Sequence, residues 1–106
     1  MKAALLSRRC QAVLPAATAE DIGRMLALLP GWNVEDGKLV RAFSFKDHYE
    51  TLAFVNALGW VSHTEDHHPE LTVTYNRCVV RFNTHDVKGL SDTDFECAAQ
   101  IDALLA

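Results

Sequence analysis

"LTVTYNRCVVRF", from Leu71 to Phe82, decides how this chain folds. Leu71, Val73 and Tyr75 alternate with Thr72 and Thr74, and Cys78, Val80 and Phe82 alternate with Val79 and Arg81. Alternation with a period of two puts one set of side chains on a single face of a strand. Two such runs in succession predict a β-hairpin. A two-residue turn at Asn76–Arg77 would pair Tyr75 with Cys78, Val73 with Val80 and Leu71 with Phe82. Each of those rungs sets apolar against apolar, which specifies the register.

Upstream, "WNVEDGKLVRAFSF" (Trp32–Phe45) carries a second hairpin signal at Asp36–Gly37. Both central residues of that turn need positive φ, which Asp and Gly tolerate. Strands are expected over 32–35 and 38–45. Three helices frame the hairpins. Thr18, with Asp21 three residues on, forms a capping box before Ile22, Met25, Leu26 and Leu29, and Pro30–Gly31 stops that helix. Asp47 and Glu50 open a second over "DHYETLAFVNALGWVSHTE", apolar on nearly all sides, so it should lie on the sheet and also meet a partner. Ser91 and Asp94 open a third, with Cys97, Ala98, Ile101, Leu104 and Leu105 on one face. The order α-ββ-α-ββ-α predicts an α+β fold: a four-stranded antiparallel sheet with its helices packed on one face.

With 106 residues, one domain is expected, residues 18–106, after a loose N-terminal extension over 1–17. Forty-nine per cent of the residues are hydrophobic and 23% charged, which describes a folded chain rather than a disordered one. A net charge of -4 with no basic stretch argues against binding nucleic acid through its phosphates. No apolar run has the length of a membrane span. Arg8 and Arg9 cut the opening apolar patch too short for a signal peptide. Three scattered cysteines, Cys10, Cys78 and Cys97, make no disulfide framework and fit a reducing compartment, so a cytoplasmic location is expected.

"HTEDHHPE" (His63–Glu70) concentrates three of the five histidines and three acidic residues just before the hairpin. His85 lies just past the hairpin's far end. Because a hairpin brings its ends together, His85 should return beside His67 and His68. Three readings are open. The histidines could be chance neighbours in a polar loop. They could bind a metal, with His63 and His67 four apart on a helix face and His85 as a third ligand. They could do acid–base chemistry, since imidazole gives and takes protons near neutral pH. Glu65, Asp66, Glu70 and Asp86 nearby would favour the charged ring.

The stretch "EDHHPELTVTYNRCVVRFNTHDVKGLSDTDF" (Glu65–Phe95) resembles the signature region of the pterin-4a-carbinolamine dehydratases. That pattern has a histidine pair before a proline, an aromatic residue on the next strand, a histidine after the hairpin and an aspartate opening the last helix. His67, His68, Pro69, Tyr75, His85 and Asp94 stand in those places. The likeness extends through "FSFKD" and "LPGW" back to about Thr18. The resemblance implies dehydration of 4a-hydroxytetrahydrobiopterin, left by an aromatic amino-acid hydroxylase, to quinonoid dihydropterin and water. It implies His67, His68 and His85 as catalytic residues, and His63, Asp66, Pro69 and Asp94 as substrate-binding residues. No metal or other cofactor is required, and a homodimer or homotetramer is expected. Two positions depart from the family pattern. Leu71 stands where many relatives carry tryptophan, and His63 where an acidic residue is common. The alternative reading is a non-catalytic pterin-binding module, or a protein-assembly or transcription-coactivator module, of the same fold.

Overall fold

The computed structural model describes residues 17–84 and 89–105. In chain order the elements are α1 (Ala19–Leu26), β1 (Asn33–Glu35), β2 (Lys38–Ser44), α2 (His48–Glu65), β3 (Glu70–Val73), β4 (Arg77–Phe82) and α3 (Asp92–Ala103). The four strands form one antiparallel sheet in the order β1-β2-β4-β3. This is the expected α+β arrangement, with the helices on one face. The reading of residues 1–17 as an extension falls outside the described residues except at Ala17, whose N–H donates to the Leu90 carbonyl at 2.7 Å.

The local signals act as their chemistry requires. The Thr18 hydroxyl accepts from the Asp21 N–H at 3.1 Å, and the Asp21 carboxylate accepts from the Thr18 N–H, which completes a capping box on α1. Asp36 and Gly37 adopt φ of 52° and 74°, the positive pair that joins β1 to β2. Asp47 caps α2 through the Glu50 N–H at 2.9 Å.

Leu39 and Phe43 of β2 and Cys78, Val80 and Phe82 of β4 point to the helices and are buried, while Ala42, Ser44 and Arg77 lie on the open face. Burying one such large apolar side chain contributes about 1.5–3 kcal/mol. The indole N–H of Trp32 and the Arg41 guanidinium both donate to Asp102 Oδ1 at 3.0 Å, which ties the strand end of the first hairpin to α3.

The second hairpin differs from expectation in register. Val73 pairs with Cys78 and Leu71 with Val80, and the turn centres on Tyr75–Asn76, closed by Thr74 N–H donating to the Arg77 carbonyl at 2.9 Å. A shift of two residues leaves each side chain on the same face, so alternation cannot tell the two registers apart. Tertiary contacts select the observed one. The Phe45 N–H donates to the Asn76 carbonyl at 2.8 Å, and the Thr51 hydroxyl donates to the Tyr75 carbonyl at 3.0 Å. Tyr75 is therefore exposed at the turn rather than set in the core, and its ring stacks on His48.

Burial is also distributed differently between the helices. In α3, nine of twelve residues are buried, including Asp94, Glu96 and Asp102. In α2 only Thr51, Phe54, Leu58, Val61 and Ser62 are buried, out of eighteen residues. Leu104 and Leu105, expected on the inner face of α3, lie beyond its end and are exposed. Cys78 is a buried free thiol.

Candidate active site

Helix α2 ends in a Schellman motif. The Asp66 N–H donates to the His63 carbonyl at 3.3 Å and the His67 N–H to the Ser62 carbonyl at 3.2 Å. Asp66 takes the left-handed conformation, φ 50°, that reverses the chain. Aspartate is one of the few residues other than glycine that enter this region readily. The helix thus stops at Glu65, and His67 is folded back against the domain rather than carried on the next helical turn. Only 12% of its side chain remains exposed.

His67 is held on two sides. Its ring stacks on Phe82, with centroids 5.7 Å apart and planes 8° apart. Its Nε2 lies 2.7 Å from Asp94 Oδ1. Asp94 sits in the first turn of α3 and its side chain is fully buried. Its other oxygen, Oδ2, accepts from the Thr84 hydroxyl at 2.8 Å and from the Ser91 N–H at 3.0 Å. The Thr84 hydroxyl spends its proton on Asp94, so the Ser91 hydroxyl, 2.8 Å away, donates to Thr84. A carboxylate that only accepts takes the proton of Nε2, and this orients the ring. Nδ1 of His67 has no protein partner among the described residues.

Of the residues singled out in the sequence, the structure brings His67 and Asp94 into contact. His68 follows as an exposed residue, and Pro69 leads into β3 half-buried. His63 is exposed on the last turn of α2, and Asp66 serves as its left-handed end. Because α2 stops at Glu65, His63 and His67 do not share a helix face. His85 lies outside the described residues. Its predecessor Thr84 is bonded to Asp94 and bridged to Gly89, so the strand leaves the sheet beside the His67–Asp94 pair. Thr84, Ser91 and Phe82 were not anticipated as parts of the site. The spacing of Ser91 and Asp94 marked a helix start, and alternation put Phe82 in the core. Neither signal reveals that both support one histidine.

The model of the family described as pterin 4 alpha carbinolamine dehydratase matches residues 15–104. The chain belongs to this family. A relative from Nitrosospira multiformis is 48% identical over 95 residues, covering 90% of this chain and 84% of the relative. One from Bdellovibrio bacteriovorus is 50% identical over 104 residues, covering 94% and 87% respectively. Both carry the name "Putative pterin-4-alpha-carbinolamine dehydratase". Among solved structures, a transcriptional coactivator/pterin dehydratase from Brucella melitensis superposes with a TM-score of 0.82 at 29% identity, covering 86% of this chain and 99% of that one. A pterin dehydratase-like protein identified as a RuBisCO assembly factor in the alpha-carboxysome shares the fold, with a TM-score of 0.58 at 22% identity over 69% of this chain and 84% of that one. Among the described residues, no helix of this pterin dehydratase family member is long and apolar enough to cross a membrane.

Proposed function

We propose that the protein dehydrates 4a-hydroxytetrahydrobiopterin to quinonoid dihydropterin and water by histidine acid–base catalysis. The reaction breaks the C4a–O bond and the N5–H bond and forms the C4a=N5 double bond. Hydroxide is a poor leaving group, so an acid protonates it as it departs, and a base receives the N5 proton. The observation that carries the reading is His67, a largely buried side chain with Nε2 fixed on buried Asp94 and Nδ1 without a partner among the described residues. A neutral ring held this way offers a lone pair at Nδ1, and the charged ring offers a proton at the same atom. His85, directly after Thr84 in the chain, is the second proton carrier. His68 binds and polarises the pterin, beside Pro69, His63 and Asp66. Asp94 acts through His67. Two histidines that exchange protons balance the elimination without a metal or organic cofactor.

The reading extends to recycling the pterin of an aromatic amino-acid hydroxylase in the cytoplasm, by a homodimer or homotetramer. The test generates carbinolamine with a hydroxylase and follows dihydropterin formation with and without the protein, before and after chelation. Acceleration that survives chelation supports the reading. No acceleration over spontaneous dehydration would refute it and favour the assembly-module alternative, whose motive is the fold shared with the carboxysome assembly factor.

A further inference from the structure

The helices cover one side of the sheet, where His67 stacks on Phe82, and the other side is open. On the open side a shallow cleft of ≈ 350 Å³ runs between the first hairpin and β4. That volume suits a small molecule. Val40, Ala42 and Val79 form its floor, with Arg77 and Arg81 on the β4 side and Asn33 on the β1 side. The two arginines carry charge that the chain leaves without a carboxylate. Arg77 is exposed and has no partner among the described residues. Arg81 pairs in register with Glu70, but its Nη1 donates at 3.0 Å to the neutral Thr72 hydroxyl. The Glu70 carboxylate is taken by Lys38, which reaches across β4 and sets its Nζ 3.0 Å from Oε1. Lys38, ahead of Arg81, holds the Glu70 carboxyl below its ordinary range. Arg41 also lines the cleft, but it is paired with Asp102. Thr72 stands opposite Val79, one row nearer Arg77, so the Arg81 guanidinium leans over the floor toward Arg77. Residues four apart on a strand lie about 13 Å apart along it, a gap that two arginine side chains can close.

We propose that this cleft binds a small organic phosphate between Arg77 and Arg81. Two guanidiniums call for a dianion. A phosphate monoester carries a charge of about −1.5 to −2 near neutral pH and offers three acceptor oxygens. Arginine meets such oxygens in bidentate pairs. A single carboxylate would balance only one of the two charges. The organic part of the ligand lies on Ala42 and Val79, whose short side chains leave the floor flat and apolar. The far end of the same face limits the ligand's length. Glu35, Asp36 and Glu70 line it around Lys38, so a polyanion laid along the sheet would meet like charge. That favours a short phosphate ligand over a nucleic acid or an anionic membrane. The cleft and His67 lie on opposite sides of the sheet, so binding in the one does not require the chemistry of the other.

The test is a titration of the full chain with phenyl phosphate, inorganic phosphate and acetate at constant ionic strength, followed by ¹⁵N NMR. Phenyl phosphate at millimolar concentration should give saturable shifts at Ala42, Arg77, Val79 and Arg81. Inorganic phosphate should bind at the same residues more weakly, because it leaves the floor uncovered, and acetate should give no saturable shift. Arg77→Gln and Arg81→Gln should each weaken phenyl phosphate by about tenfold, the loss of one charge-assisted contact. Neither side chain belongs to the buried core, so both variants should keep the native circular dichroism spectrum. The absence of saturable shifts at these residues in the wild type would overturn the site. So would unchanged affinity in a folded Arg77→Gln/Arg81→Gln double variant, and acetate binding as tightly as the phosphates would overturn the dianion. If a variant does not fold, the wild-type titration decides.

Discussion

Asp94→Asn is the sharpest perturbation of the site, because the surrounding donors dictate how the amide must lie. Thr84 O–H and Ser91 N–H both point at the Oδ2 position, at 2.8 Å and 3.0 Å, and require an acceptor there. The asparagine oxygen therefore takes that place, and its NH₂ group is turned toward His67 Nε2, where Asp94 Oδ1 stood at 2.7 Å. An amide donor cannot face an N–H, so neutral His67 must carry its proton on Nδ1 instead. The lone pair that should receive the substrate's proton is then on the wrong nitrogen. Shape and packing are nearly unchanged, and most buried hydrogen bonds survive. Replacing one charge-assisted hydrogen bond by a neutral one should cost roughly 1–2 kcal/mol of stability. Turnover should fall much further, by about 10²–10⁴-fold, or about 3–5 kcal/mol in the barrier, the usual contribution of a positioned acid or base. The assay is hydroxylase-generated carbinolamine turnover, read beside denaturant unfolding and ¹⁵N NMR of the imidazole. Turnover within a few-fold of wild type, or a ring still protonated on Nε2, would refute the reasoning.

His67→Ala leaves Asp94 buried without the partner that stands on its Oδ1, so urea titration should show a loss of roughly 1–3 kcal/mol together with the loss of turnover. His85→Ala should slow dehydration by about 10²-fold or more if it carries the second proton, and near-normal turnover would remove it from the mechanism. His63→Glu should move the pH–rate profile toward higher pH, because a negative charge near the site favours the protonated form of its histidines. The shift should be modest, since His63 is exposed and solvent screens it, and superimposable profiles would make His63 a surface residue only. Burial pushes the Cys78 thiol up from its ordinary range, which lowers its thiolate share. In native protein at pH 8, iodoacetamide should therefore leave the Cys78 peptide unlabelled until denaturant is added, as peptide mass mapping would show.

Local signals carried most of the architecture. The Thr18–Asp21 box, the Asp36–Gly37 turn and the Asp47 cap are interactions between residues close in sequence, so the pattern that encodes them is also the pattern that forms them. Alternation over Cys78–Phe82 determined which residues of β4 face the core, whereas Val73 and Tyr75 of the facing strand and turn are exposed. The histidine cluster, and its resemblance to a known signature, singled out His67 and Asp94, which the fold places in contact.

What only the tertiary structure decided is which of several locally equivalent arrangements wins. Two hairpin registers a two-residue step apart share their faces, and Phe45 and Thr51, distant in sequence, selected between them through the turn carbonyls. A helix pattern reports polarity but not partners. The apolar α2 therefore keeps an exposed stripe, while α3, with Asp94, Glu96 and Asp102, is the helix buried on most sides. A carboxylate can be buried when donors converge on it, and the donors to Asp94 come from three separate segments. That convergence, Thr84 and Ser91 on one oxygen and His67 on the other, has no sequence period, because it exists only once the strand, the helix start and the chain reversal at Asp66 have been folded together.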